Sequence, residues 1–240
     1  MKYKLVIFDK DGTLLRFESV WVKIGHNIVD SFINSYDVQV DKDDILQALG
    51  LGADYIEPAG ILSSGTTNDI IKVFKGYTND ASVETWTRKN MDELANHYED
   101  QLEMIKGTDV VLKKIQEKGY LLAVITADDY ISTDNFLTKF DIRHYFNEII
   151  TSDKVPVQKP NHLILDSLIA KYQIKTSEMV MVGDTPIDMQ LGKNGNIGLT
   201  IGVLSGTSKH EHLHEADIIL NDVTELIKDD QLIWEEGFKC

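Results

Sequence analysis

A chain of 240 residues with a formal charge of −15 has room for one large domain, or one domain with a smaller insert, and lacks the basic face that nucleic-acid phosphates require. Its one cysteine, Cys240, is the last residue, so neither an internal disulfide nor a cysteine-built zinc site is expected, which suits a reducing cytosol. No run approaches the roughly 18–20 apolar residues of a membrane span. The opening MKYKLVIFDKDG has neither the apolar length nor the small-residue cleavage site of a signal peptide, and the expected location is the cytoplasm.

The first element is a buried strand. Leu5–Phe8 is short and wholly apolar, and it stops at Asp9, with Asp11 and Gly12 close behind. From Phe17 to about Tyr98 the pattern turns helical. Trp21, Ile24, Ile28, Phe32 and Ile33 recur at helical spacing, and Asp41–Leu49 gives a second short helix. Thr66 or Thr67 is placed to cap a helix carrying Ile70, Ile71 and Phe74, and Trp86, Met91, Leu94 and Tyr98 mark a longer one. No convincing buried strand falls in this stretch.

From Gly107 strands and helices alternate. TDVVLKKIQEKG is an amphipathic helix closed by Gly119. YLLAVIT is a strand ending at Thr126, DNFLTKF a helix, EIITS a strand, HLILDSLIAKY a helix and EMVMVGD a strand. A helix begins at Pro186, and IGLTIGV, ADIIL and DVTELIK complete the series. Such alternation builds a parallel sheet covered on both faces. The expected fold is α/β: a Rossmann-like parallel sheet core over residues 1–16 and 104–240, with an inserted helical module over residues 17–103.

In open parallel sheets, ligands bind beyond the carboxyl ends of the strands. Asp9 and Asp11 follow the first predicted strand, and Thr126, Ala127 and Asp128 follow the second. Lys159 lies in VPVQKP near the next, and Asp184 and Asp188 follow EMVMVG. The four carboxylates of Asp9, Asp11, Asp184 and Asp188 at one edge raise one another's pKa unless cations balance them. A divalent ion with oxygen ligands does so, and Mg²⁺ is the natural choice because it combines one or two carboxylates with waters and a substrate phosphate. Lys159 adds a fixed positive charge, and one carboxylate can then serve as a nucleophile.

FDKDGTLL, VITADD, Lys159 in QKP, and GDTPIDMQLGKN together resemble the four motifs of the haloacid dehalogenase-like superfamily. The helical insert is similar to the α-helical cap of its phosphoglycolate phosphatase and β-phosphoglucomutase branch. The resemblance spans nearly the whole chain. It implies a Mg²⁺-dependent phosphatase that hydrolyses a small phosphomonoester, phosphoglycolate or a sugar phosphate, through an aspartyl-phosphate intermediate. By position, it implies that Asp9 is the nucleophile and that Asp11 protonates the leaving oxygen and then activates water. Gly12, Thr126, the Ala127 N–H and Lys159 are implied to hold the phosphoryl group. The implied metal set is Asp9, Asp11 (through its backbone carbonyl) and Asp184, with Asp188 holding a metal-bound water or orienting Lys159. A small phosphorylated metabolite is the expected partner, with no nucleic acid or membrane, for a monomer or homodimer.

Two positions depart from the family pattern. Lys10 stands where an apolar residue is common, and only its backbone is expected to face the phosphate. Ala127 replaces a common Asn or Ser, which bears on substrate choice if that side chain normally touches substrate. A phosphomutase of the same branch is the alternative enzyme. A catalytically silent phosphate-binding or regulatory protein is the alternative from another class, and the presence of Asp9, Asp11 and Asp184 speaks against it.

Other features carry less. His210, His212 and His214 in SKHEHLHEAD read as part of a solvated surface helix. Trp21 and Phe74 read as packing residues. His26, Arg88 and Lys89 are candidate substrate contacts from the cap, and EPAGILSSGTT is a candidate loop reaching the site.

Overall fold

The computed structural model describes residues 2–17 and 20–235, so Cys240 lies outside the described residues. Six strands, β1 (Leu5–Phe8), β2 (Leu121–Ile125), β3 (Glu148–Ile150), β4 (Met179–Gly183), β5 (Leu199–Val203) and β6 (Ile218–Leu220), form one sheet in the order β3-β2-β1-β4-β5-β6. Every neighbouring pair is parallel. The first strand of the sequence therefore sits inside the sheet, with Leu5 opposite Leu121 on one side and Met179 on the other.

Successive side chains of a strand point to opposite faces, and both faces are covered here. Val6, Phe8, Val124 and Val182 join one apolar cluster, whereas Leu5, Ile7, Ile125 and Met181 join another. That double burial is why these strands read as unbroken apolar runs. Helices α6 (Thr108–Glu117) and α7 (Tyr130–Lys139) feed Ile115 and Phe136 into the first cluster. Helices α8 (Asp166–Tyr172) and α9 (Pro186–Asn194) feed Leu168 and Leu191 into the second.

Between β1 and α6 the chain forms α1 (Trp21–Tyr36), α2 (Lys42–Ala48), α3 (Ile61–Ser64), α4 (Thr67–Lys75) and α5 (Val83–His97). They surround a separate apolar cluster in which Phe32 stacks on Phe74 at 4.1 Å between ring centroids. Asp41 caps α2 through the Asp43 N–H. Thr66, rather than Thr67, caps α4, in a reciprocal box with Asp69. The segments leaving and re-entering the sheet layer run side by side, with Ile105 N–H donating to the Leu14 carbonyl at 2.9 Å and Arg16 N–H to that of Glu103 at 2.8 Å.

DVTELIK, which closes the series, makes a 3₁₀ turn, Val223–Leu226, before entering a small hairpin of β7 (Ile227–Lys228) and β8 (Gln231–Leu232). One sequence expectation changes. SKHEHLHEAD makes one 3₁₀ turn, His210–Leu213, anchored by buried Leu213, rather than the expected surface helix. Among the described residues, no helix is long and apolar enough to cross a membrane.

Candidate active site

Parallel strands end at one edge, and the polar residues of the sequence motifs gather there. β1 delivers Asp9, whose N–H still bonds to the Val182 carbonyl at 2.9 Å. The chain then turns sharply, with Thr13, Leu14 and Leu15 all donating backbone N–H groups to the Lys10 carbonyl. Gly12 makes this turn possible at φ +82°, a conformation that disfavours other residues. A Cβ at this position would also overlap the Asp184 carboxylate. β2 delivers Thr126, whose hydroxyl accepts from the Asp128 N–H at 3.1 Å. β4 ends at Asp184, and Asp188 follows in the first turn of α9.

Asp9, Asp184 and Asp188 are all buried, and each offers a carboxylate oxygen within 4.8 Å of the others. Lys159 joins them, its ammonium 2.6 Å from Asp9 Oδ1 and 2.6 Å from Asp188 Oδ1. The second oxygen of Asp188 accepts from the N–H and hydroxyl of Thr185, so this acid both caps α9 and engages Lys159. Asp184 accepts from the Thr207 N–H at 3.1 Å and from the Thr13 hydroxyl at 3.4 Å. Gly206 also packs against it, where any Cβ would overlap the carboxylate.

The electrostatics follow from burial. Desolvation, reinforced by Asp188 and Asp11, pushes the Asp9 carboxyl up to about 7 against the opposing pull of Lys159. Desolvation, then the charges of Asp9 and Asp188, raise Asp184 well above the carboxylate range. Burial opposes the charge of Lys159, but Asp188 and Asp9 outweigh it and raise its pKa. Three carboxylates facing one ammonium leave a deficit of positive charge. This buried, all-oxygen donor set fits a hard divalent cation such as Mg²⁺.

The Asp11 carboxylate is not grouped with that trio. Lys10 holds it instead, a contact that the sequence expectation did not include. Lys10 is 2% exposed, with its ammonium 2.9 Å from Asp11 Oδ2 and 2.9 Å from Asp128 Oδ2. Trp21, expected only to pack, donates its indole N–H to Asp11 Oδ1 at 2.9 Å. Burial and the nearby Asp128 still raise Asp11, while Lys10 and Trp21 oppose that rise.

A cavity of about 40 Å³ lies over this edge. Its floor includes Asp9, Asp11, Thr126, Ala127, Asp128, Lys159 and Thr185. Its opposite wall comes from the helical region: Phe17, Trp21, the 61–67 stretch, Ile70 and Met91. Thr67 ties the two sides together by donating to Asp129 Oδ2 at 3.0 Å. The 61–67 stretch thus reaches the site, whereas His26, Arg88 and Lys89 do not line it. His26 contacts the Gly52 and Ala53 carbonyls, Arg88 engages Asn68 and Glu84, and Lys89 engages Glu93.

No site role is read from the sequence for Gly206, Thr207 or Trp21, nor for Lys10 and Asp128, although these two stand inside its motifs. Gly206 and Thr207 follow β5, so the strand-end rule that found Asp184 reaches them too. Lys10 was visible as a lone charge in a buried run.

A family model described as haloacid dehalogenase-like hydrolase matches residues 6–202. The chain is 27% identical over 237 residues to a phosphoglycolate phosphatase of Vibrio parahaemolyticus, covering 94% of this chain and 95% of that protein. It is 26% identical to the pyrophosphatase PpaX of Anoxybacillus flavithermus, covering 95% and 96%. Among solved structures, CbbY from Rhodobacter sphaeroides in complex with phosphate superposes with a TM-score of 0.72 at 17% identity, covering 93% of this chain and 96% of that one. With its motifs at the strand ends of a six-stranded parallel sheet and the family match spanning most of its length, the chain belongs to the haloacid dehalogenase-like hydrolases.

Proposed function

We propose that this protein is a phosphatase that removes the phosphoryl group from a small phosphomonoester, with Asp9 as nucleophile. The observation that carries the reading is the placement of Asp9: buried at the end of β1, 2.6 Å from Lys159, grouped with Asp184 and Asp188, and open to the same cavity as Asp11. The phosphatase names of its relatives support it.

In this reading Asp9 forms a bond to phosphorus as the bond to the ester oxygen breaks, and Asp11 gives that oxygen a proton. Asp11 then takes a proton from water, which attacks the aspartyl phosphate, releases phosphate and restores Asp9. Lys159 neutralises Asp9 and the phosphoryl oxygens, which the Thr126 hydroxyl and the Ala127 and Gly12 backbone also hold. Asp9, Asp184, Asp188 and the Asp11 backbone carbonyl would hold Mg²⁺. When bound, it supplies the positive charge that lets one anion approach another.

Residues 17–103 act as a cap over the 1–16 and 104–240 core. A cavity of about 40 Å³ holds little beyond a water, so substrate enters when the cap parts and is sealed from bulk water when it closes. The hydroxyl-rich wall favours a sugar or polyol phosphate over phosphoglycolate. The location that goes with this reading is the cytoplasm, whose reducing conditions suit a chain with one cysteine.

The test is p-nitrophenyl phosphate turnover with Mg²⁺ and with EDTA, in the parent protein and in Asp9→Asn. Metal-dependent release of phosphate that Asp9→Asn abolishes is the expected result. No turnover on any of a broad phosphomonoester panel would mean a silent site, and isomerised sugar phosphate without free phosphate would mean a mutase.

A further inference from the structure

Lys10, Asp11, Asp128 and Trp21 make a second network beside the nucleophile, the first two buried and the others partly buried. The Lys10 ammonium contacts both oxygens of Asp11, at 3.1 and 2.9 Å, and Asp128 Oδ2 at 2.9 Å. It also lies 5.7 Å from the centre of the buried Phe136 ring. Asp11 Oδ1 receives a further hydrogen bond from Trp21 Nε1 at 2.9 Å. Both Asp11 oxygens are thus engaged, and the carboxylate cannot turn without breaking a contact.

Charge balance alone does not account for this arrangement. A buried ion pair is commonly no more stabilising than apolar residues of the same volume, because desolvation offsets the attraction. Asp128 and Lys10 could therefore be replaced together at little cost if packing were their only role. What the pair does supply is a fixed direction for Asp11. Trp21 differs from the other members because it belongs to α1, on the opposite side of the cavity, where it stacks on Phe17.

We propose that Lys10, braced by Asp128, is a positioning residue for Asp11, and that Trp21 completes the hold only while α1 packs against the sheet core. The proton donor is then fully aligned in the closed enzyme and loosened in the open one. The proposal rests on the phosphatase reading, with Asp11 delivering a proton to the leaving oxygen.

The test exploits leaving groups. A p-nitrophenolate departs without a proton, whereas an alkoxide needs one. kcat/KM is measured for p-nitrophenyl phosphate and for the best alkyl ester among glycerol 1-phosphate, glucose 6-phosphate and phosphoglycolate. Trp21→Phe and Lys10→Met should each lower kcat/KM on the alkyl ester by about tenfold or more, and on p-nitrophenyl phosphate by less than about threefold. Lys10→Met leaves buried Asp11 and half-buried Asp128 without their cation, so Lys10→Met/Asp128→Asn is made alongside it and should show the same divergence. Equal losses on both esters, or no loss on either, overturn the positioning role. Parent protein inactive on both esters instead sinks the phosphatase reading, and the positioning role with it.

Discussion

Lys159 Nζ lies 2.6 Å from Asp9 Oδ1, although 150 residues of chain separate them. The same ammonium holds Asp188, so one cation keeps two buried anions together. Lys159→Met should cost about 3–5 kcal/mol in metal-free protein, as expected when a buried pair loses one partner. It should also lower kcat by about 100-fold or more, since a charge aimed at the reacting group is lost. Urea unfolding in EDTA and steady-state kinetics check the two halves. Full activity in the variant would remove Lys159 from the proposed machinery.

Metal and pH should act together. Burial and neighbouring acids raise the folded-state pKa of Asp9 to about 7, and they also raise Asp11 and Asp184. Between the ordinary 3.8 and about 7, the folded protein keeps protons that the unfolded chain releases. The contribution of these acids to stability in EDTA should therefore be largest in acid and be lost as pH rises through about 7. A cation binds the deprotonated acids and removes that penalty. The Tm gain on adding Mg²⁺ should be larger at pH about 8 than at about 5.5. A gain independent of pH would place the metal elsewhere.

The core and the acidic trio were legible because both depend on chain properties that need no partner. A strand buried on both faces must be apolar throughout, so its end is marked by the first polar residue, as at Asp9, Thr126 and Asp184. What the sequence hid were contacts between elements. Trp21 sits at the spacing of a core aromatic, and nothing local tells its indole N–H to reach Asp11. Lys10 was visible, but whether its side chain turned to solvent or inward depended on Asp128 arriving from β2. Arg88 was a candidate substrate contact and EPAGILSSGTT a candidate loop reaching the site. The packing of α4 on α5, with Arg88 drawn to Asn68, decided between them.

Gly206 tests how firmly Asp184 must be held. It packs so close that the Cβ of Ala would overlap Asp184 Oδ2, while the next residue's N–H anchors the same oxygen. Gly206→Ala must shift the loop or the carboxylate. The Mg²⁺ concentration for half-maximal activity should rise about tenfold, with kcat partly recovered at saturation. Unchanged Mg²⁺ dependence would show that Asp184 is not a ligand.

Substrate choice can be argued from the cap wall. The described residues that line it are apolar or carry hydroxyls, among them Ser63, Ser64, Thr66 and Thr67, with no Lys or Arg. The six lysines and arginines between residues 17 and 103 are engaged elsewhere. Lys23 binds Gln101, Lys42 binds Asp30, Lys72 binds Asp69, Lys75 and Arg88 bind Glu84, and Lys89 binds Glu93. A leaving group with its own carboxylate would be buried against this wall without a partner, inside a protein of charge −15. An uncharged polyol would find hydroxyl partners. kcat/KM for glycerol 1-phosphate or a sugar phosphate should exceed that for phosphoglycolate by about tenfold or more, a difference of about 1.4 kcal/mol. If phosphoglycolate proves the better substrate and Arg88→Ala abolishes that preference, Arg88 leaves Glu84 and enters the site, and the wall is not the selector.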